Sequence, residues 1–193
     1  MKLSAFVRPA LASLVFFALV TALYSLAVTG LGAALFPRQA GGSLVVEAGK
    51  VRGSSLLGQD FARADRFHGR PSAVSYDPAS GGASNLGPTS AVLAQSVAAR
   101  RAALLAENGA GSGEPPDELL LASASGLDPD ISPQAALYQA PRIARALGLG
   151  SSGEASLEAL VKSEAKGRSL GFMGEPRVNV LALNLCLERL YGR

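Results

Sequence analysis

A chain of 193 residues with a formal net charge of +3, one cysteine and one histidine excludes several chemistries at the outset. Cys186 alone gives no intrachain disulfide and no cysteine-built zinc site, and His68 alone leaves histidine-based acid–base schemes a single candidate. The charge is modest and scattered, with no basic run interleaved with aromatics, which argues against a nucleic-acid partner.

In chain order, the first feature is the stretch 9–37, which holds no charged residue between Arg8 and Arg38. A bilayer core needs about 20 apolar residues in a helix, so this segment predicts a transmembrane helix. Its Leu, Val and Phe residues favour insertion by roughly 3–7 kcal/mol as an upper bound. Lys2 and Arg8 also form the basic start of a secretory signal, with Ala33 and Ala34 as small residues for cleavage. A signal's apolar region runs to about 7–15 residues, however, which favours an uncleaved anchor. Ala18, Ala22, Ser25 and Thr29 recur at helical spacing, and a strip of small side chains lets a second helix come close. Counting Lys2 and Arg8 against Arg38, Lys50 and Arg52 does not decide the orientation. A long following domain is translocated largely whatever its charge, so the expectation is a short cytoplasmic start at 1–8, a span at 9–37 and an extracytoplasmic domain at 38–193.

About 155 residues then remain, enough for one domain with a core. The segment 43–59 reads as two short strands joined at Ala48-Gly49. Residues 61–71 form a mixed polar and aromatic connection, and 75–90 a loop rich in Gly, Ser, Pro and Asn, too long to be slack in a compact domain. Thr89 or Ser90 caps a helix with Leu93, Val97 and Leu104 on one stripe and Gly109 after its end. Gly109 to Pro116 reads as an exposed connection and Leu119–Ala122 as a buried strand. Ser132-Pro133 starts a helix that turns Leu137, Ile143 and Leu147 inward, stops at Gly148 and is kinked or split at Pro141. Ser156–Ala165 forms a third helix with Leu157, Leu160 and Val161 inward, and 178–191 a last one with Val180, Leu183, Leu187 and Leu190 buried. The fold class is α+β: one N-terminal transmembrane helix followed by a single mixed α/β extramembrane domain.

Candidate chemistry is sparse. Ser54, His68 and Asp77 could be assembled on paper into a hydrolytic triad of a membrane-tethered protein acting alone, but no serine sits in a G-x-S-x-G elbow. His68 reads better as a hydrogen-bonded structural or interface residue. Glycines at 80–85, SGGASN, expose backbone amides as a phosphate loop does, making Ser80, Gly81, Gly82 and Asn85 candidate nucleotide contacts. The loop lacks the Gly-Lys-Ser/Thr that holds phosphates and magnesium. Residues 122–126 before the Ser132 helix are a second candidate anion cradle, which Asp128 and Asp130 oppose.

Taken in this order behind one spanning helix, the stretches 42–61 (GSLVVEAGKVRGSSLLGQDF), 67–73 (FHGRPSA), 76–90 (YDPASGGASNLGPTS), 121–144 (LASASGLDPDISPQAALYQAPRIA) and 178–190 (VNVLALNLCLERL) resemble the C-subunit family of the bacterial Kdp potassium-transporting ATPases. The resemblance covers essentially the whole chain. It implies a non-catalytic accessory subunit of a high-affinity potassium uptake pump in the inner membrane. The implied partners are a channel-like potassium-translocating subunit, a P-type ATPase subunit and a small single-helix subunit. In that family the C subunit stabilises assembly and acts as a catalytic chaperone raising the ATP affinity of the ATPase subunit, so the chain holds no cofactor of its own and at most shares ATP. It shows no DKTGT-like phosphorylation sequence. Interface residues in such an assembly would be Ala18, Ala22, Ser25 and Thr29 on the helix and His68, Arg70 and Tyr76 on the loops.

Overall fold

The computed structural model describes residues 4–109 and 112–192; Lys2 and, within the Gly109–Pro116 connection, Ala110 and Gly111 lie outside them. The chain forms two compact units that divide between Leu44 and Val45.

The first unit is helical. α1 (Ser4–Leu35) begins upstream of the predicted span and carries Pro9 inside it, at the cost of one amide donor near the start. Phe36 breaks the helix with φ −134° and ψ 56°, as the residue before a proline must, and Pro37 opens the one-turn α2 (Pro37–Ala40). From Phe6 to Leu35 the helix is long and apolar enough to cross a membrane, at about 45 Å for its 30 residues. No part of that segment is buried inside the protein, and Phe16, Phe17, Leu23 and Leu26 all stand exposed. A helix apolar all round with nothing packed on it suits hydrocarbon rather than water.

The second unit begins in a hairpin of β1 (Leu44–Glu47) and β2 (Lys50–Ser54). Its turn residues Ala48 and Gly49 have φ 49° and 75°, the left-handed conformation of a tight two-residue hairpin. A long irregular segment leads to α3 (Ala91–Asn108), capped by the Ser90 hydroxyl, which accepts from the Leu93 amide. Then come α4 (Asp117–Leu120), β3 (Asp130–Ile131), α5 (Pro133–Leu147), α6 (Gly150–Glu164), β4 (Val178–Asn179) and α7 (Val180–Tyr191). β3 and β4 pair antiparallel, Asp130 opposite Asn179 and Ile131 opposite Val178. The core gathers Phe67, Leu104, Leu119, Ile131, Ile143, Leu157, Val161, Leu183 and Leu187, with α5 packed on α6 and α3 and α7 on α6.

Three expectations need correction. Leu119–Ala122 is not a strand: α4 covers Asp117–Leu120, Pro116 sets the entry and Asp117 and Glu118 sit in the first turn, while four apolar letters are too short to separate strand from helix. Pro141 does not split α5, which runs unbroken from Pro133 to Leu147 with the side chains around it buried against α6. Leu190 is 61% exposed because the stripe of α7 outruns the core, where Tyr191 packs instead. α6 also starts six residues earlier than Ser156 suggests, at Gly150.

Candidate functional site

The FHGRP segment is held by side-chain amides from two helices. Asn184 of α7 takes Phe67 as a strand partner would: the Phe67 amide donates to its Oδ1 at 2.8 Å and its Nδ2 donates to the Phe67 carbonyl at 2.9 Å. Gln139 of α5 does the same one residue on, with the His68 amide donating to Oε1 at 2.8 Å and Nε2 donating to the His68 carbonyl at 3.1 Å. Phe67 is fully buried, so these groups have no water to fall back on. Arg142, also buried, donates to the carbonyls of Ala64 at 2.6 Å and Arg66 at 2.9 Å and to Gln139 Oε1 at 2.8 Å. Its partners are carbonyl oxygens rather than a carboxylate, and burial lowers its affinity for the proton. The backbone of residues 64 and 66–68 is thus held by side chains of α5 and α7, while the Phe67 ring anchors the segment in the core.

His68 shows what that fixing leaves. Its Nε2 lies 3.1 Å from the Arg63 carbonyl, which can only accept, so the neutral ring carries its proton there. Nδ1 faces the Glu107 carboxylate at 4.0 Å. Burial first, and then Arg142, keep the imidazole below its ordinary pKa. A cavity of about 230 Å³ adjoins it, lined by Gly69, Pro71, Arg100, Leu104, Glu107 and Leu119.

Beyond His68, the loop 70–82 interlocks with 123–128. The Arg70 guanidinium pairs with Asp128 at 3.1 Å. Tyr76 donates its hydroxyl to the Arg70 carbonyl at 2.6 Å, and burial raises its pKa. The Ser72 hydroxyl donates to the Gly126 carbonyl at 2.7 Å and accepts from the amides of Val74 and Tyr76. Gly126 has φ 68°, and a Cβ there would stand 2.6 Å from Val74 and 2.8 Å from the Gly82 carbonyl, so only glycine closes this contact. His68, Arg70 and Tyr76 are each half-buried, and Tyr76 and Arg70 are joined by the Tyr76 hydroxyl bond.

In the glycine loop, the Gly82 amide already donates to the Ser125 carbonyl at 2.7 Å and the Ser80 hydroxyl to Asp77 at 2.8 Å. The Asp77 carboxyl, fixed by the Ala79 amide and Ser80, is held below the usual carboxylate range. Ser80, Gly81 and Asn85 are exposed, Asn85 with φ 54°. A phosphate approaching this loop meets the Asp77 carboxylate and finds the Gly82 amide engaged.

The paper triad does not assemble: His68 is bonded to Arg63, and Asp77 to Ala79 and Ser80. On α1, Ala18, Ala22, Ser25 and Thr29 are all exposed. The pKa shifts elsewhere run away from reactivity, the Cys186 thiol being raised by burial and by Glu164. A larger open groove of about 650 Å³ lies between Arg63, Asp65, Arg66 and the end of α7, with Leu147, Leu149, Leu187, Leu190 and Tyr191 along its apolar side. Its charges are spoken for, Arg63 by Asp65 and Arg66 by Glu188.

The family model for "K+-transporting ATPase, c chain" (KdpC) matches residues 7–189, from within α1 to the last turn of α7. The chain belongs to the KdpC family. Among its relatives, the Potassium-transporting ATPase KdpC subunit of Methylorubrum extorquens is 51% identical across 96% of this chain and 98% of its own length. The proteins of that name from Methylibium petroleiphilum and Variovorax paradoxus are 54% and 51% identical over 92% and 94% of the chain. The match thus takes in the long apolar helix α1, the clamp that Gln139, Arg142 and Asn184 form on residues 64–68, and the loop pair together.

Within this KdpC-family chain, sequence reasoning missed the residues that carry the site. Gln139, Arg142 and Asn184 are polar residues on the inward faces of α5 and α7, among Ala135, Ala136, Ala140, Ile143, Leu183 and Leu187. That signal was readable, since a polar residue in phase with an apolar stripe needs a buried partner. The partners themselves lie 71 to 117 residues away in sequence and have no local signature.

Proposed function

We propose that the chain is a non-catalytic accessory subunit of an ATP-driven potassium uptake pump and acts by contact with sister subunits. The observation that carries this is the family match over 7–189, and burial that favours the neutral forms of the one imidazole and the one thiol supports it. The sister proteins are a channel-like potassium-translocating subunit, a P-type ATPase subunit and a small single-helix subunit. α1 holds the chain in the inner membrane, and Ala18, Ala22, Ser25 and Thr29 form the face that meets a neighbouring helix. The domain lies on the extracytoplasmic side, an orientation that the long translocatable stretch after α1 supports. Alkaline phosphatase fused after residue 40 reads this directly, and fluorescence there from a reporter that matures only in the cytoplasm contradicts it.

The chain stabilises the assembly and raises the ATP affinity of the ATPase subunit as a catalytic chaperone. From an external position this effect is transmitted through the partners, and the engaged Gly82 amide and the Asp77 carboxylate support that route over direct nucleotide contact at Ser80, Gly81, Gly82 and Asn85. His68, Arg70 and Tyr76 belong to the loop face that docks. The test is a pump reconstituted with and without this chain: omission raises the ATP concentration needed for half-maximal potassium-stimulated hydrolysis. An unchanged ATP dependence in an intact complex overturns the chaperone role.

A further inference from the structure

Between α6 and β4 the chain makes a small protruding hairpin, closed by bridges between Lys166 and Arg177 and between Ser169 and Met173. Its tip reads Leu-Gly-Phe-Met, and Leu170 is 83%, Phe172 71% and Met173 52% exposed. Side chains of that size normally go to a core, and an apolar tip on a domain surface marks a binding element. Three amides of the tip are bonded within the turn: those of Gly171, Phe172 and Met173 donate back to the carbonyls of Arg168 and Ser169. Beside it stand Lys166, Arg168 and Arg177, of which Arg168 pairs with Glu175 at 3.0 Å and Arg177 with Asp130 at 3.1 Å, leaving the group one positive charge in excess.

We propose that this hairpin is a lipid-interface foot, with Leu170, Phe172 and Met173 entering the headgroup–acyl boundary of an anionic bilayer and Lys166, Arg168 and Arg177 at its phosphates. Three features select lipid over a protein socket. Three side chains on a turn fall well short of the roughly 800 Å² per partner of a stable protein interface, whereas a lipid surface asks only for apolar area and positive charge. The three internally bonded amides lower the cost of carrying the tip out of water. And the same chain carries a helix fit to span a bilayer, which keeps lipid at high local concentration.

The chain contains no tryptophan, so Phe172→Trp gives a single emitter at an exposed position that disturbs no packing. In the full chain reconstituted into phosphatidylcholine vesicles containing phosphatidylglycerol, its emission shifts to the blue and is quenched by brominated acyl chains. Both effects diminish in phosphatidylcholine alone and in a Lys166→Gln, Arg168→Gln background. Emission at the solvent position with quenching by aqueous iodide overturns the proposal, as does a blue shift that appears only when the pump's other subunits are added. The inference rests on the anchor reading of α1, which a separate Leu23→Trp chain checks. Quenching by brominated lipid at that position with none at the hairpin defeats the foot alone.

Discussion

At the scale of single residues, the fold depends on a few polar side chains that do backbone work. Asn184 and Gln139 supply Phe67 and His68 with the donors and acceptors a neighbouring strand would give. Replacing Asn184 by leucine keeps the volume and strands two buried backbone groups, so the full chain in detergent should lose about 2–4 kcal/mol of stability. Denaturant titration measures this, and an unchanged midpoint would remove the clamp from the account. His68 gives the pH counterpart. Its folded pKa lies below the ordinary 6.5, so the unfolded chain binds the proton more readily, and stability present above about pH 6.5 is lost as pH falls below it. His68→Asn should flatten that part of the stability profile, whereas identical slopes for both chains would contradict the assignment. The sequence showed the single histidine but could not show its environment, because Arg142, Glu107 and Arg63 reach it from separate elements.

At the scale of elements, what was readable followed from local physics. The long charge-free run, the Ser90 and Ser132 caps and the Ala48-Gly49 turn each act within a few residues, and each is present where it was expected. What failed lay where local signals tie or where a neighbour decides: the four apolar residues at 119–122, Pro141 inside a helix packed against α6, and Leu190 beyond the end of the core. The interlock of the loops 70–82 and 123–128 was out of reach for the same reason, since Ser72, Gly126 and Asp128 meet only in the folded domain. For α1, the strip of small residues carries its own prediction. Ala22→Leu leaves insertion intact and weakens association with the channel-like subunit, measured as the yield of that subunit recovered in mild detergent. Undiminished recovery would count against that face.

At the scale of the whole molecule, a helix suited to hydrocarbon and a domain with its own core serve a protein that works by position. Several of the domain's charges pair at its surface, burial favours the neutral forms of its one imidazole and its one thiol, and the loops 70–82 and 123–128 are bonded to each other. The role proposed for it is recognition, within the potassium-transporting ATPase complex that membership of the KdpC family implies. Affinity purification of the tagged full chain in mild detergent, from cells grown at limiting potassium, tests this most directly. The account predicts that it brings a P-type ATPase and a potassium-translocating subunit with it in fixed proportion; recovery of the chain alone, from cells that contain those subunits, would contradict it.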